Sequence, residues 1–146
     1  MLMGRWLPLG LKATSILLCT GLIGCAEVTP APTRACVKPV KVAKITFSRT
    51  KYPHIRAHYA AAVRAGYPRV LTLRREGADG RRSRLLADVA TRSGYDRDEY
   101  PPAVGRGSFR ADVAYVPSSE NRSHGSTLGL KLRRYCDGTR FRYVFY

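Results

Sequence analysis

The sequence predicts a small α+β protein: a single domain with an antiparallel or mixed sheet, two longer helices and one short helix. Segments that alternate like strands are interspersed with segments of helical periodicity, and the order contains no internal repeat. Glycine and proline separate most of these segments. The part of the chain with this pattern, residues 42–146, has the length of one domain.

Four elements are predicted in the first half of the domain. Residues 42–47 are rich in β-branched side chains and alternate, which indicates a strand. Pro53 suits the first turn of a helix, and Gly66 suits its end. The four are a strand at 42–47, a helix at 53–65, a strand at 69–73 and, after a loop at 76–80, a short helix at 81–89.

The second half is predicted to contain an extended segment at 95–100, a strand at 111–116, a helix from about 120 to 135 and a closing strand at 140–146. Two prolines after the extended segment exclude a helix there. Ser118 or Ser119 can cap the last helix. Its leucines at 128–132 alternate as in a strand, but two of them also form a helical stripe with Tyr135, and we favour the helix.

The N-terminus has the features of an export signal. Arg5 and Lys12 precede an apolar run without acids that is too short to anchor the chain in a membrane permanently. The run ends in Leu22-Ile23-Gly24-Cys25, which resembles the lipobox of bacterial lipoproteins, where cleavage leaves the cysteine sulfur to carry the lipid. The alternative is an ordinary signal peptide that is cut after Ala26.

These features divide the chain into three predicted parts: a lipoprotein signal peptide at 1–24, the lipidated Cys25 with a proline-containing flexible tether at 25–41, and the folded domain at 42–146. We expect the protein at the bacterial cell envelope, anchored by lipid (to the outer membrane in a Gram-negative host), or secreted. We also expect a monomer.

The chain is strongly basic, with 26 Lys and Arg against 10 Asp and Glu and a net charge of +16. Removal of the leader takes away two cations and no acid, so 24 cations remain against 10 acids, a net charge of about +14. Self-repulsion of this size favours a polyanionic partner, either nucleic acid or an anionic envelope polymer. Most of the cations are Arg, 20 of 26, whose planar fork suits phosphate oxygens. A merely solvated cationic surface is the alternative.

Two of the four cysteines, Cys36 and Cys136, belong to the exported domain. Two cysteines outside the cytosol usually pair, so we predict a disulfide that closes a loop of about 100 residues. Neither has a Cys or His neighbour at ligand spacing, which argues against zinc.

Three carboxylates, Asp96, Asp98 and Glu99, lie within four residues of this basic chain. Like charges this close cost Coulomb energy, which indicates that the cluster serves a cation or a proton transfer. Strand alternation places Asp96 and Asp98 on one face and Glu99 on the other, where it pairs with an arginine or reaches a metal ion. The alternative is that all three only neutralise nearby arginines.

Several blocks carry a family resemblance: Tyr52-Pro53 with His58, Arg75-Glu76-Gly77-Ala78-Asp79 with Arg81-Arg82, Gly94-Tyr95-Asp96-Arg97-Asp98-Glu99-Tyr100-Pro101, Ser119-Glu120-Asn121-Arg122 with Gly125, and Asp137-Gly138-Thr139. In order and spacing, over about residues 42–146, they resemble the NucA/NucB family of secreted bacterial deoxyribonucleases. The resemblance implies a small, non-specific endonuclease that depends on a divalent metal ion. The glycine-containing turn at 105–110 departs from the family pattern.

Phosphodiester hydrolysis needs a base for the attacking water, a metal ion to offset developing charge, and cations that hold the polyanion. Asp98 or Glu99 is the predicted base. Glu120, Asn121 and Asp98 are the predicted ligands of Mg²⁺ or Mn²⁺, with helix capping as the alternative for the first two. His124 either protonates the leaving group or touches phosphate. The predicted catalytic residues are Asp98, Glu99, Glu120 and His124.

DNA, bound without regard to sequence, is the predicted partner. Its predicted phosphate contacts are Arg81, Arg82, Arg97 and Arg122. His58 follows His54 at the spacing of a metal pair, but no carboxylate accompanies them at ligand spacing, so a structural or DNA-facing histidine is favoured. The competing function is a cationic lipoprotein without catalysis that binds DNA or anionic envelope polymers.

Overall fold

The computed structural model describes residues 35–108 and 110–146. Its order of elements confirms the predicted α+β fold, with two longer helices and a shorter one. In chain order the elements are β1 (Ala43–Phe47), α1 (Pro53–Arg64), β2 (Leu71–Thr72), α2 (Ala78–Leu86), β3 (Tyr95–Tyr100), a single 3₁₀ turn (Ala103–Gly105), β4 (Asp112–Pro117), α3 (Ser118–Leu132) and β5 (Arg140–Phe145).

The described strands form two sheets. The first is mixed: β5 lies in the middle, parallel to β1 and antiparallel to β2. The second is an antiparallel pair of β3 and β4, in which Asp98 is opposite Ala114 and Tyr100 is opposite Asp112. The prediction of an antiparallel or mixed sheet is therefore confirmed, while the division into two sheets was not predicted.

Side chains from both sheets and from two helices share one hydrophobic core. Phe47 of β1 and Phe141 of β5 are almost completely buried, and Ile55 of α1 packs into the same cluster. Tyr100 and Val116 bring the β3–β4 hairpin into it. Burial of such side chains is the main favourable term in folding, and here it ties the hairpin to the helices that flank it.

The leucines at 128–132, which fitted either a strand or a helix in sequence, belong to helix α3. Leu128 and Leu132 are 6% and 3% exposed, whereas Leu130 between them is 65% exposed. This is the helical stripe, because residues four apart lie on the same face of a helix and the residue between them does not. Tyr135 is also buried, although α3 ends three residues before it, at Leu132.

Three local predictions were wrong. The loop predicted at 76–80 is shorter, because α2 begins at Ala78 directly after Gly77, whose φ of +67° suits glycine. Ser118 does not cap α3 but is its first residue, and its hydroxyl donates to Asp96 instead. The second strand contains only Leu71–Thr72, because the chain on either side of it is not paired in the ladder with β5.

The predicted disulfide between Cys36 and Cys136 is present, with an S–S distance of 2.01 Å. Beside it, Val37 forms an isolated bridge with Tyr135, so the end of the predicted tether is held against the domain. The predicted signal peptide and Cys25 lie outside the described residues. None of the helices in the described part of the chain is long and apolar enough to cross a membrane.

Candidate active site

A cleft of about 260 Å³ lies between β3 and the first half of α3. It contains most of the side chains that the sequence predicts for catalysis and DNA contact. The predicted residues that line it are Arg82, Asp98, Glu99, Asn121, Arg122 and His124, together with Asp96. Residues from positions 82 to 124 are therefore brought into one site by the hairpin and its two neighbouring helices.

Glu99 is buried on the opposite face of β3 from Asp98, as alternation predicts. Its Oε1 accepts hydrogen bonds from Arg82 at 3.0 Å and from the backbone N–H of Ala103 at 3.1 Å. Its Oε2 accepts one from Arg106 at 2.6 Å, and both side chains of this pair are at most 5% exposed. Both oxygens thus have cationic partners, and the predicted pairing of Glu99 with an arginine is confirmed. Between the two candidate bases, the geometry favours Asp98.

Asp98 has one oxygen engaged and one available. Its Oδ2 accepts a hydrogen bond of 2.6 Å from Nδ1 of His58. Its Oδ1 has no hydrogen-bond partner within residues 35–108 and 110–146. The side chain lines the cleft and is 14% exposed. A carboxylate with an oxygen open to the cleft can accept the proton of a water bound there, as a general base does.

His58 lies beneath Asp98 and is buried. Its second nitrogen, Nε2, lies 3.2 Å from Oδ2 of Asp112. Burial by itself would lower the pKa of His58, but the hydrogen bond and charge of Asp98, followed by those of Asp112, raise it above its ordinary value. His58 therefore does not face DNA. His58 is three residues after Ile55 and four before Ala62, the other buried residues of α1. This helical spacing in the sequence predicts that His58 lies on the inner face of the helix.

Glu120 points away from the cleft and toward the start of α1. Its Oε1 accepts hydrogen bonds from the backbone N–H groups of His54 and Ile55, both at 2.9 Å, and its Oε2 lies 2.7 Å from Nδ1 of His54. Tyr52 at the N-cap position supplies no side-chain cap to this helix. Glu120 therefore does from α3 what an N-cap side chain normally does. Its predicted part in catalysis and metal binding stays a prediction.

Asp96 and Arg122 form a pair at the rim of the cleft. Arg122 donates to both oxygens of Asp96, at 3.0 and 3.2 Å, and Ser118 donates to Oδ1 at 2.8 Å. The hydrogen bond from Arg122, followed by that from Ser118, lowers the pKa of Asp96, with a smaller effect of the Asn121 amide. Because the Arg122 side chain is 75% exposed, it is free to exchange this partner for a phosphate.

His124 is enclosed by aromatic rings. Its ring centroid lies 4.5 Å from that of Phe47, 5.5 Å from that of Tyr52 and 5.6 Å from that of Tyr143. Its Nε2 is buried without a hydrogen-bond partner in the described part of the chain. Burial lowers the pKa of His124, so the ring is neutral near pH 7. Its predicted role at the leaving group or at phosphate stays a prediction.

The four predicted phosphate contacts fall into two groups. Arg81 donates to the backbone carbonyls of Arg74, Glu76 and Ala103, and Arg97 donates to those of Leu86 and Val89. These two side chains hold loops and the end of α2 in place, and a phosphate contact from them stays a prediction. The other two, Arg82 and Arg122, line the cleft and are partly exposed, so they are available to DNA.

No three His, Cys, Asp or Glu side chains in the described ranges are grouped in a way that could hold a metal ion. The cleft nevertheless offers the carboxylate of Asp98 and the amide oxygen of Asn121. Mg²⁺ keeps several of its waters and needs only one or two protein carboxylates, so a donor set of this kind fits a hard, hydrated divalent ion. It does not fit zinc, which takes three or four protein ligands, most of them histidine nitrogen or cysteine sulfur.

Comparison with known proteins gives one informative match. No family model matches the chain. The chain is 39% identical over 97 residues to a protein of Bacillus subtilis (strain 168) that is named DNA-entry nuclease. The alignment covers 66% of this chain and 66% of that protein, so the chain matches about two thirds of the relative's length.

Proposed function

This chain belongs to the NucA/NucB family of bacterial deoxyribonucleases, and on that premise we propose that it is a non-specific endonuclease that hydrolyses DNA with the help of a divalent metal ion. The name of the relative supports DNA as the substrate. The observation that carries the proposal is Asp98, a carboxylate on the wall of a cleft with arginines at its rim and one oxygen free.

Asp98 is the general base of the proposed reaction. A water molecule attacks the phosphorus, and its proton passes to Oδ1 of Asp98, the oxygen that His58 does not hold. Neither Glu99 nor Glu120 offers an oxygen without partners, which supports the choice of Asp98. His124, which lines the cleft, is the predicted proton donor to the leaving oxygen, with solvent as the alternative donor because burial lowers the pKa of its ring.

Asn121 would hold Mg²⁺ or Mn²⁺ in the cleft, with Asp98 and Glu120 as the other predicted ligands. Because Oδ1 of Asp98 is the proposed base, Asp98 would hold the ion through a bound water. When bound, such an ion would offset the negative charge that develops on the phosphoryl oxygens. Arg82 and Arg122 hold the DNA backbone beside it through charge-assisted hydrogen bonds. The net charge of about +14 after removal of the leader adds attraction that does not depend on base sequence.

We further propose that the protein acts outside the cytoplasm. The disulfide between Cys36 and Cys136 supports this location, because such bonds persist in oxidising compartments. Lipid attachment at Cys25 remains part of the proposal, as does a monomeric state. Mass spectrometry of the protein isolated from membranes tests the anchor: a diacylglyceryl group on an N-terminal cysteine is expected, and an unmodified N-terminus beyond Ala26 would contradict it.

The central experiment follows the nicking of supercoiled plasmid by the purified protein in Mg²⁺ or Mn²⁺. We expect cleavage that stops on addition of chelator. Asp98→Asn should lower the cleavage rate by about 10²–10⁴-fold, the usual contribution of a positioned base. Its affinity for DNA should stay near that of the wild type, because the phosphate contacts are arginines. Asp88→Asn, which changes an exposed aspartate outside the cleft, is the matched control.

The same experiment tests the competing function of a cationic lipoprotein without catalysis. The engagement of Glu99 and Glu120 in protein contacts is the observation that favours this second function. It predicts DNA binding with no cleavage in any divalent metal. Cleavage by Asp98→Asn at the wild-type rate would instead support nuclease activity but show that Asp98 is not its general base.

A further inference from the structure

Asp98 belongs to a chain of three side chains that continues into the protein. His58 of α1 lies between Asp98 of β3 and Asp112 of β4, with Nδ1 to Oδ2 of Asp98 at 2.6 Å and Nε2 to Oδ2 of Asp112 at 3.2 Å. The two aspartates lie on the same face of the hairpin. Asp112 is opposite Tyr100, which is two residues after Asp98 on β3, and residues two apart on a strand point to the same face.

We propose that His58, supported by Asp112, is a positioning residue that fixes the Asp98 carboxylate with Oδ1 directed at the cleft. This inference rests on the proposed function, since it concerns the base of that reaction. His58 itself does not reach the substrate, because its side chain is 3% exposed and both of its ring nitrogens are engaged.

The chemistry of the three groups supports a fixed arrangement. Ionised carboxylates only accept hydrogen bonds, so the ring bonds to each aspartate as an N–H donor. The ring cannot turn over without losing the shorter bond, and its burial prevents water from replacing either partner. Charge-assisted bonds of this length are among the stronger ones in proteins.

Fixing Asp98 matters because an aspartate carboxylate rotates freely about its last torsion, whose preferences are broad. A base that must take a proton from one particular water loses rate when its oxygen is displaced, and a 1 Å error can cost about 100-fold. With Oδ2 held by His58, only Oδ1 remains to face the cleft. The histidine thereby selects which oxygen acts.

Two amide substitutions separate this role from simple packing. In His58→Asn the amide nitrogen falls near the position of Nδ1 and keeps a donor for Asp98. In His58→Gln it falls near the position of Nε2 and keeps a donor for Asp112 only. Both remove the ring, so both should reduce stability to a similar extent, which a thermal melt of each full-length variant will measure.

We expect His58→Asn to keep kcat within about 5-fold of the wild type. His58→Gln should lose about 100-fold in kcat while KM for DNA stays within about 2-fold, because positioning of the base does not hold the substrate. Asp112→Asn, which still accepts a hydrogen bond from Nε2, should show an intermediate loss. A packing role predicts instead that the two amide variants lose the same activity, in proportion to their loss of stability.

A spectroscopic measurement keeps the inference testable if either variant folds poorly. The Nδ1–H proton of His58 in the wild-type protein should give a far-downfield proton NMR signal, and Asp98→Asn should shift or abolish it. Absence of that signal, or equal kcat values for His58→Asn and His58→Gln, would overturn the inference. If Asp98→Asn cleaves DNA at the wild-type rate, Asp98 is not the base and the proposed mechanism is rejected. If Asp98→Asn is inactive while His58→Gln retains the wild-type kcat, Asp98 remains the base and only the positioning role of His58 is rejected.

Discussion

Replacement of Glu120 tests whether this side chain caps α1 from the neighbouring helix. Its Oε1 accepts the N–H groups of His54 and Ile55, the second and third residues of α1, while Pro53 before them has no N–H to offer. Glu120→Ala leaves both donors without this partner. Hydrogen bonds to a charged acceptor contribute about 1.5–3 kcal/mol each when buried, and the one at His54 is exposed.

We therefore expect Glu120→Ala to lower the free energy of unfolding by about 2–3 kcal/mol in total, since the exposed bond contributes little. For a domain of this size each kcal/mol lowers Tm by about 4 °C, so Tm should fall by about 8–12 °C. Glu120→Gln keeps an oxygen for the two N–H groups but loses the charge at the positive end of the helix dipole, which costs about 1 kcal/mol. The order of Tm should be wild type, Gln variant, Ala variant.

Thermal unfolding followed by far-UV circular dichroism gives these values, with the exposed Glu76→Gln as the matched control. Cleavage at 25 °C and its dependence on Mg²⁺ concentration should be recorded on the same samples. A capping role predicts the loss of stability with little change in the Mg²⁺ requirement, whereas a ligand role predicts a much higher requirement. If Glu120→Ala unfolds at the temperature of the wild type, the capping argument is refuted.

Three further predictions concern a buried ion pair, the disulfide and an exposed ion pair. Glu99→Gln leaves the buried guanidinium of Arg106 without its counter-charge, and urea unfolding should show a loss of about 3–5 kcal/mol; a loss below 1 kcal/mol would contradict the pairing. Reduction of the disulfide, which joins residues 100 apart in sequence, should lower stability by at most ~4.7 kcal/mol in denaturant titrations with and without reductant, and an unchanged midpoint would speak against a stabilising role. The backbone and then the side chain of Arg75 lower the pKa of Asp137, so the stability that this carboxylate contributes is present above about pH 4 and is lost as pH falls through its lower folded pKa. Asp137→Asn should therefore be less stable than the wild type at pH 7, with a difference that shrinks as pH falls below about 4, and equal melting temperatures at pH 7 would exclude this contribution.

Much of the framework could be predicted from local patterns. The strand and helix order, the helical assignment of α3 and the pairing of the exported cysteines all follow from periodicity or composition. So does the division of the acidic cluster, because successive strand residues point to opposite faces whatever lies beyond them. For that reason Asp98 bonds to His58 on one side of the strand, and Glu99 bonds to Arg82 and to the buried Arg106 on the other.

Other features depend on partners that are distant in sequence. Glu120 was predicted as a site residue, but its carboxylate bonds to α1 at positions 65 and 66 residues earlier. Arg81 and Arg97 were predicted to contact phosphate, but their guanidinium groups bond to backbone carbonyls in loops and at the end of α2. A charged side chain takes the best available partner, and only the packed structure determines which partner is available.

The class of fold, the charge that favours DNA and the strand that carries Asp98 could be predicted from the amino-acid sequence, because they depend on periodicity and composition, which are local properties. The position of His58 between two aspartates of the hairpin depends on how α1 packs against β3 and β4. His58 is 40 residues from Asp98 and 54 residues from Asp112 in sequence. Because the inner face of α1 is buried, the polar ring of His58 has its hydrogen-bond partners in the neighbouring strands and not in water.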